Sequence, residues 1–443
     1  MAAVLEGLGV PVLETILSKV AFSDAAAAAC VSTTLRSVAS DDALWRHFCA
    51  RDLAVCDQPL DPDGNPCHSF KEAYRRWFES FGMYPFPLVR RAKECWSSIK
   101  SWMAVNLPEV NDTLRKGASE AEIKSAEKIL GVQLPIPTKV LYRLCDGQQT
   151  LTPDLVENRL LAPLGVIGGY EFYDYIVNVH LLPLRLVVTE TKRIARQLGF
   201  LTRSKSIVVA ASYYMEKFFF LNCTSGQLYV GTRNLREDGE MMPCVPQSLI
   251  RPAVDIGHDM PQDALLLWLE EHCRRLQSGM IKTRELKDCR SICIFPETPP
   301  YCSVAVTNGV QVRSSAIFVP EASEGNGGDY YYSYSIRMSL LPEGCLLDGT
   351  YYSSCQLCSR HWIIRSRDII VSDVGGEAVI GKFPLLIPGK EEFVYQSCTP
   401  LPGAPGSIEG SFTFVPGRIS KPEGRHFDAK VAPFILEEPE YIF

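Results

Sequence analysis

Hydrophobic residues recur at helical spacing in the N-terminal part of the chain. The first apolar stripe, at positions i, i+3, i+4 and i+7, consists of Leu13, Ile16, Leu17 and Val20. Pro11 fits the first turn of this helix, where the N–H that proline lacks would have no partner. Ser23 and Asp24 are candidate N-caps for a second helix, which the following alanines favour.

The apolar pattern continues through two more short segments. Its positions are Val31, Leu35 and Val38 in one and Leu44, Trp45 and Phe48 in the other. Three short helices bury too little surface to be stable alone. We therefore expect this unit to pack against a larger domain or a partner.

A wide aromatic stripe follows. Its members are Phe70, Ala73, Tyr74, Trp77, Phe78 and Phe81. We expect this helix to end before Pro85 and Pro87, since proline breaks a helix interior. A second domain is expected from Arg91 onward, and within it Ser119 and Glu122 have the spacing of a capping box.

Strand patterns appear later in the second domain. We predict strands at 206–211, 217–222 and 227–232, the last two joined by a hairpin turn at 224–226. One more helix, apolar along one face, is predicted at 263–278.

The remainder of the chain alternates apolar and polar residues with a period of two. Strands are predicted at 303–306, 311–319, 330–338, 352–357, 361–365, 392–395, 408–415 and 429–434. Short strands with turns between them favour a β-sandwich. The proline-rich stretch 296–300 predicts a linker that would make residues 300–437 separable, and 321–329 is glycine-rich and expected to be a mobile loop.

Composition narrows the class of protein. Of 443 residues, 46% are hydrophobic and 22% charged, which predicts packed domains. A net charge of −6 argues against a nucleic-acid groove. We expect no membrane span and no signal peptide, because no apolar run has the required length or flanks. The 16 cysteines are scattered, which indicates reduced thiols and not a disulfide framework.

Two sets of residues could carry chemistry. Cys355, Cys358 and His361 have ligand-like spacing, but a fourth ligand is missing and a strand would turn the two thiols to opposite faces, so we expect no zinc. His361 has no carboxylate or nucleophile at triad spacing. The glycines at 375, 376 and 381 could cradle a pyrophosphate through backbone amides. Ala378 interrupts that motif, so tight turns are the favoured reason for the glycines.

The C-terminal third resembles an ApaG domain, whose fold is a fibronectin-III-like sandwich. The residues that carry the resemblance are Tyr332, Tyr334 and Ile336, the run 359–364, Pro388 and Gly389, Phe393, Tyr395 and Ser397, the run 408–412, Phe427 and Asp428, and Pro433, Phe434 and Leu436. The N-terminal unit resembles an F-box, although Gly9 and Val10 separate the Leu8 and Pro11 that are adjacent in that family. Residues 92–235, most clearly 119–147, resemble the SUKH (Smi/Knr) family, in which helices pack on a mixed sheet.

In this order the three units resemble the F-box proteins that contain an ApaG domain. The resemblance implies a multidomain α+β protein with a helical F-box at 2–53, a helical connector at 54–90, a SUKH-like α+β domain at 91–284 and an all-β ApaG sandwich at 288–443.

The resemblance also implies a function. The chain would be the non-catalytic substrate adaptor of a Skp–cullin–F-box ubiquitin ligase, in the cytoplasm, the nucleus or both, and would bind no cofactor, nucleic acid or membrane. Its partners would be a Skp-family subunit, through it a cullin, and a protein substrate. The predicted Skp-binding residues are Leu8, Pro11, Leu13, Ile16, Leu17 and Val20, with Val31 and Trp45 behind them. The predicted substrate-binding residues are Glu324, Gly327, Asp329, Gly376 and Gly381. The alternative is a ligand- or nucleotide-sensing module built on the sandwich.

Overall fold

Four short helices form the N-terminal unit. The computed structural model describes residues 8–149, 162, 164–173, 175–198, 205–235, 241–251, 260–286, 289–323 and 329–442. The helices are α1 (Val10–Lys19), α2 (Phe22–Ala28), α3 (Thr33–Ala39) and α4 (Asp42–Leu53). Ala21 is the N-cap of α2, so the predicted caps Ser23 and Asp24 lie inside that helix and this prediction is wrong. Ser32 instead caps α3 by accepting a hydrogen bond from the Leu35 amide at 3.2 Å.

Two longer helices connect this unit to the centre of the molecule. Helix α5 (Phe70–Phe81) buries its predicted aromatic face, apart from Phe78. Pro85 is the N-cap of α6 (Phe86–Asn106) and Pro87 lies in its first turn, so the prolines begin a helix as well as following one. The predicted domain boundary at Arg91 therefore falls inside α6. Buried side chains form one continuous core from Leu13 to the central sheet.

The central part packs helices against a mixed sheet. Its helices are α7 (Pro108–Asn111), α8 (Glu120–Leu130), α9 (Ile136–Leu144), α10 (Leu184–Gln197) and α11 (Ala264–Ser278). Its strands are β1 (Gly168–Phe172), β2 (Tyr175–Leu181), β3 (Ser206–Ser212), β4 (Lys217–Asn222), β5 (Leu228–Thr232), β6 (Met242–Pro243), β7 (Lys282–Leu286) and β8 (Cys289–Cys293). They lie in the order β6-β5-β4-β3-β2-β1-β8-β7, antiparallel except for the parallel pair β1–β8.

Several central predictions are confirmed. The capping box of Ser119 and Glu122 is formed, β3, β4 and β5 lie at the predicted positions, and Asp263 caps the predicted helix α11. Strands β1 and β2 and helix α10 were not predicted. A mixed sheet covered by helices is the arrangement that the SUKH resemblance implies, and the resemblance itself stays a prediction.

Twelve further strands lie in the described residues from 303 onward. They are β9 (Ser303–Thr307), β10 (Val310–Phe318), β11 (Tyr330–Leu340), β12 (Cys345–Leu347), β13 (Thr350–Tyr352), β14 (Cys355–Ser366), β15 (Ile369–Glu377), β16 (Leu385–Leu386), β17 (Phe393–Leu401), β18 (Gly406–Arg418), β19 (Lys421–Pro422) and β20 (Phe427–Leu436). One sheet has the order β17-β11-β10-β9, and the other has β15-β14-β18-β19 with β16 on β14 and β20 on β18. Trp362 packs between Tyr334, Phe412 and Phe434 in the core between the sheets.

The predicted strands of the sandwich are confirmed with shifted or extended bounds, with two exceptions. The segments predicted at 352–357 and 361–365 are mostly one strand, β14, and strands β12, β15, β16 and β19 were not predicted. The start of the sandwich also moves, because β8 pairs with β1 and β7 in the central sheet. A domain beginning at 288 would take β8 away from its partners.

The sandwich and the central sheet are joined by buried charges. Glu297 lies in the predicted linker, yet it is buried and accepts two hydrogen bonds from Arg284 of β7, at 2.7 and 2.6 Å. Arg284 also donates to Glu392 at 2.6 Å, and Glu392 is held from the sandwich side by Arg313 at 2.5 Å. The prediction of a free linker is therefore wrong. Among the described residues, no helix is both long and apolar enough to cross a membrane.

Candidate partner-binding surfaces

Helix α1 is apolar on two faces. Leu13 and Leu17 point into the helical core, and Leu13 is only 1% exposed. Val10, Val12 and Ile16 lie on the outside and are 38–49% exposed. An ordinary surface helix has one apolar stripe facing its own core and a polar opposite face. The outer apolar face of α1 has no covering element in the part of the chain that the structure describes, which marks it as a contact surface.

A groove runs beside this face, between α1 and α3. Its volume is about 370 Å³, and its walls are Val10, Glu14, Thr33, Thr34, Ser37, Val38 and Asp41. Val31, in the turn before α3, is 59% exposed. Aliphatic side chains beside hydroxyls and two carboxylates suit a partner surface that combines apolar and hydrogen-bonding groups.

The rigid position of α1 comes from α4 and α5. Arg51 of α4 donates to the carbonyl oxygens of Ser18 and Val20 at the end of α1, each at 3.0 Å. The same guanidinium bonds Asp52 at 2.7 Å, and this hydrogen bond raises the pKa of Arg51. Tyr74 of α5 donates to Asp52 at 2.9 Å, and burial raises the pKa of its hydroxyl. These bonds tie the last turn of α1 to the core.

The predicted Skp-binding residues differ in their exposure. Leu8, Pro11, Ile16 and Val31 are exposed, Val20 is half-buried, and Leu13, Leu17 and Trp45 are buried. Trp45 is part of the core, because its indole N–H donates to the Ala39 carbonyl at 2.8 Å. The buried three can therefore only support a contact, and Val31 lies at the surface and not behind the others as predicted.

Sequence reasoning missed Val10 and Val12. They fall outside the i, i+3, i+4 stripe, at positions where an ordinary amphipathic helix carries polar residues. Aliphatic residues at those polar positions were the available signal.

The predicted substrate-binding residues do not form one site. Glu324 and Gly327 lie outside the described residues, and Asp329 is exposed just before β11. Gly376 is within β15, opposite Arg360, and Gly381 has a φ of 72° in a tight turn. Gly375 is also in β15, so the predicted turn holds only for Gly381.

Three backbone amides near these glycines already donate hydrogen bonds within the protein. The Ala378 amide donates to the Cys358 carbonyl at 3.0 Å, and Val379 and Lys382 exchange hydrogen bonds at 3.0 and 2.8 Å. Arg360 donates to the Ala378 carbonyl at 2.8 Å. Amides that donate to other groups of the protein cannot also bind a phosphate, which argues against the hypothesis of a pyrophosphate site.

Strand β15 is an exposed edge of the sandwich. It pairs with β14 on one side, and its other side has no neighbouring strand among the described residues. Ile369, Ile370, Val371 and Val374 on this strand are exposed, Ile369 by 71%. Proteins usually protect such an edge with charge, proline or a cover, and β15 has the exposed Asp373 at its centre. The four exposed aliphatic side chains around it still make this edge a candidate docking surface.

The possible zinc ligands are dispersed. Cys355 is buried in the sandwich core, Cys358 is only partly buried, and His361 Nε2 lies 2.6 Å from Oδ1 of Asp373. Within the described residues, no group of three or more His, Cys, Asp or Glu side chains is arranged to hold a metal ion.

The chain matches two family models and resembles known proteins over most of its length. An F-box-like family model matches residues 10–51, and the ApaG domain model matches residues 320–416. The chain is 52% identical over 443 residues to F-box protein SKIP16 of Arabidopsis thaliana, covering 99% of this chain and all of that protein. It is 25% identical to human F-box only protein 3 over 93% of this chain and 79% of that protein. Over residues that make up 31% of this chain, it is 37% identical to Protein ApaG of Anaeromyxobacter dehalogenans, covering 96% of that protein.

Proposed function

The chain belongs to the family of F-box proteins that carry an ApaG domain, and from that membership we propose that it is a substrate adaptor of a Skp–cullin–F-box ubiquitin ligase. Helix α1 would bind a Skp-family subunit, which links the chain to a cullin. The sandwich, the central domain or both would hold the protein substrate. Such an assembly works in the cytoplasm, the nucleus or both.

One observation carries the Skp-binding part of the proposal. The outer face of α1 is a second apolar stripe, and it lies inside the region that matches the F-box-like family. Burying Val12 and Ile16 against a partner would remove apolar area from water, which is the main driving force of association. A few residues at the centre of an interface carry most of its binding energy, at about 2 kcal/mol or more each.

The adaptor role needs no bond chemistry in this chain. A ligase of this kind acts by holding substrate lysines near the ubiquitin-conjugating enzyme, which raises their effective concentration. The continuous core from α1 to the central sheet supports this role, as does the charge network of Glu297, Arg284 and Glu392. Both features hold the Skp-binding end and the sandwich in a fixed relation.

We propose that the substrate docks on the sandwich at β15. An extended segment of the substrate would add to this edge as another strand, with backbone hydrogen bonds for affinity and side-chain contacts for selectivity. The exposed Ile369, Ile370, Val371 and Val374 favour this edge over the loops predicted from the sequence. The nucleotide-sensing alternative is less well supported, because the amides near the glycines are engaged.

Calorimetry with a purified Skp-family subunit tests the proposal. The double variant Val12→Ser, Ile16→Ser removes two of the three exposed aliphatic side chains of the outer face, while Leu13 and Leu17 keep the core. At about 2 kcal/mol for each aliphatic side chain, we expect affinity to fall at least a hundredfold. Ile129→Ser, at an exposed aliphatic position on α8, is the matched control and should bind like the wild type. Equal affinity of the double variant and the control would refute the assignment of α1.

A further inference from the structure

A cleft lies between the central sheet and the sandwich, far along the chain from α1. Its volume is about 460 Å³, in the range of small-molecule sites. Most of its wall is apolar, with contributions from Ile294, Ile317, Phe318 and Phe434. The space is therefore suited to an apolar body of about the size of a small ligand.

Residues 437–442 form part of the wall, where the chain crosses from β20 back to the central domain. The amide of Ile442 donates to the Pro243 carbonyl of β6 at 3.0 Å, and the Ile442 side chain is buried in the central core. This segment closes one side of the cleft and places Glu437 and Glu440 in its wall.

The wall of the cleft also contains a buried cation. Lys217, the first residue of β4, lines the cleft and also a smaller void of about 30 Å³ behind it. Its side chain is only 4% exposed. Its ammonium lies 3.2 Å from the Tyr170 hydroxyl and 3.9 Å from Oε2 of Glu321, which comes from the sandwich. The ammonium is therefore at the junction of the two domains.

The hydrogen bonds of Lys217 are incomplete. An ammonium has three N–H donors, and among the described residues only the Tyr170 hydroxyl accepts one within hydrogen-bond distance. Oε2 of Glu321, at 3.9 Å, is beyond it. A buried ammonium with unfilled donors is costly, and an acceptor brought by a ligand would remove that cost.

A second cation lies in the same wall. Arg275, at the end of α11, lines both the cleft and the smaller void, and its Nε donates to Glu271 at 2.7 Å. Each of the two cations also has a carboxylate beside it, Glu321 for Lys217 and Glu271 for Arg275. A ligand with one negative group and an apolar remainder would place that group at Lys217, whose ammonium has two donors without an acceptor among the described residues.

We propose that this cleft binds a small monocarboxylic acid with an apolar body. The carboxylate accepts hydrogen bonds from Lys217, and the body lies against Ile294, Ile317, Phe318 and Phe434. This site is independent of the proposed ligase role, since it shares no residue with α1 or β15. It would make the junction between the central domain and the sandwich responsive to a metabolite.

Three probes that differ only in their head group test the site on the full chain. Decanoate, decanol and decylamine are titrated into the protein by calorimetry. We expect decanoate to bind at least tenfold more tightly than decanol, and decylamine to bind most weakly. Equal binding of acid and alcohol, or tighter binding of the amine, overturns the proposal without any variant.

Variants then assign the acid preference to Lys217. Lys217→Met keeps the length of the side chain and removes its charge, so decanoate should bind at least tenfold more weakly while decanol changes by less than threefold. Lys217→Arg keeps the charge and should retain the preference for the acid. Lys421→Met, at an exposed lysine of the sandwich, is the control and should leave all three probes unchanged.

Hydrogen exchange locates the site even if Lys217→Met fails to fold. Adding decanoate to the wild-type chain should slow exchange in β4, β10 and residues 437–442. Protection confined to other parts of the chain, or persistence of the acid preference in folded Lys217→Met, would show that the acid binds elsewhere.

Discussion

Removing the charge of Glu392 should weaken the junction between the central domain and the sandwich. Glu392 accepts hydrogen bonds from Arg284 of the central sheet at 2.6 Å and from Arg313 of the sandwich at 2.5 Å. Its side chain is 19% exposed, and both arginines are 17% exposed. Glu392→Gln leaves a side chain of the same shape but leaves two largely buried guanidinium groups without this counter-charge.

The expected magnitude follows from the burial of the pair. Removing one partner of a fully buried ion pair costs about 3–5 kcal/mol. Because some solvent reaches this network, and Glu297 still neutralises Arg284, we expect a loss of about 2–3 kcal/mol of unfolding free energy. Glu391→Gln, at the neighbouring exposed carboxylate, is the matched control and should change stability by less than about 0.5 kcal/mol.

The stability difference between the wild type and Glu392→Gln should shrink as the pH falls. Although burial opposes ionisation of Glu392, hydrogen bonds from Arg313 and Arg284 outweigh it and lower its pKa below the ordinary glutamate value. A carboxyl whose pKa is lowered by folding adds stability above its unfolded pKa of about 4.3 and loses it as pH falls through the lower folded pKa. The gap between wild type and Glu392→Gln should therefore be constant from about pH 6 to 8 and shrink below about pH 4.

Urea unfolding at several pH values measures this gap. Circular dichroism at the helical and strand wavelengths reports on both parts of the chain, and Glu391→Gln is measured in parallel. If Glu392→Gln matches Glu391→Gln at pH 7, or if the gap grows on acidification, the charge network does not hold the junction together and the reasoning is wrong.

Three further predictions concern the core, the domain boundary and the exposed edge. Leu13→Ala should cost about 2–4 kcal/mol in chemical unfolding because the side chain is buried, whereas Ile16→Ser should leave stability nearly unchanged; equal losses would mean that both residues face inward. A fragment of residues 288–443 should precipitate or have a lower melting temperature than the full chain in calorimetry, since β8 loses its partners in the central sheet. A cooperative transition at the melting temperature of the full chain would instead support an independently folding domain. Val371→Lys on β15 should leave the melting temperature unchanged but abolish ubiquitination of the substrate, because the substrate no longer docks. Unchanged ubiquitin transfer to the substrate would mean that it docks elsewhere.

Secondary-structure elements were predicted most accurately where the local sequence pattern agrees with the tertiary environment. The capping box at Ser119 and the hairpin strands β4 and β5 are encoded by adjacent residues, and the structure has them as expected. The predictions at Pro85 and Pro87 were incomplete because proline both ends one helix and begins the next. The sequence alone does not say that α6 begins within a few residues.

Long-range pairing explains most of what was missed. Strand β8 belongs to the central sheet only because β1, more than a hundred residues earlier, lies parallel to it. Strand β15 is exposed on both faces, so it lacks the alternation on which strand prediction depends.

The sequence analysis located the candidate Skp-binding surface on α1, but it did not predict which side of that helix faces outward. Ile16 stands about 60° around the helix axis from Leu13, close to the border between the two faces of α1. Which side of that border is buried depends on where α3 and α4 pack. The charge network at Glu392 and the environment of Lys217 form between domains, so no local sequence motif predicts them.

The central claim is that this chain connects a substrate to a cullin through a Skp-family subunit. Light scattering on purified proteins tests it directly, with the chain mixed with a cullin in the presence and absence of the Skp-family subunit. We predict no complex without that subunit, one complex containing a single copy of each protein with it, and no incorporation of the Val12→Ser, Ile16→Ser variant. A chain that stays outside the complex, or a variant that enters it as readily as the wild type, would contradict the account.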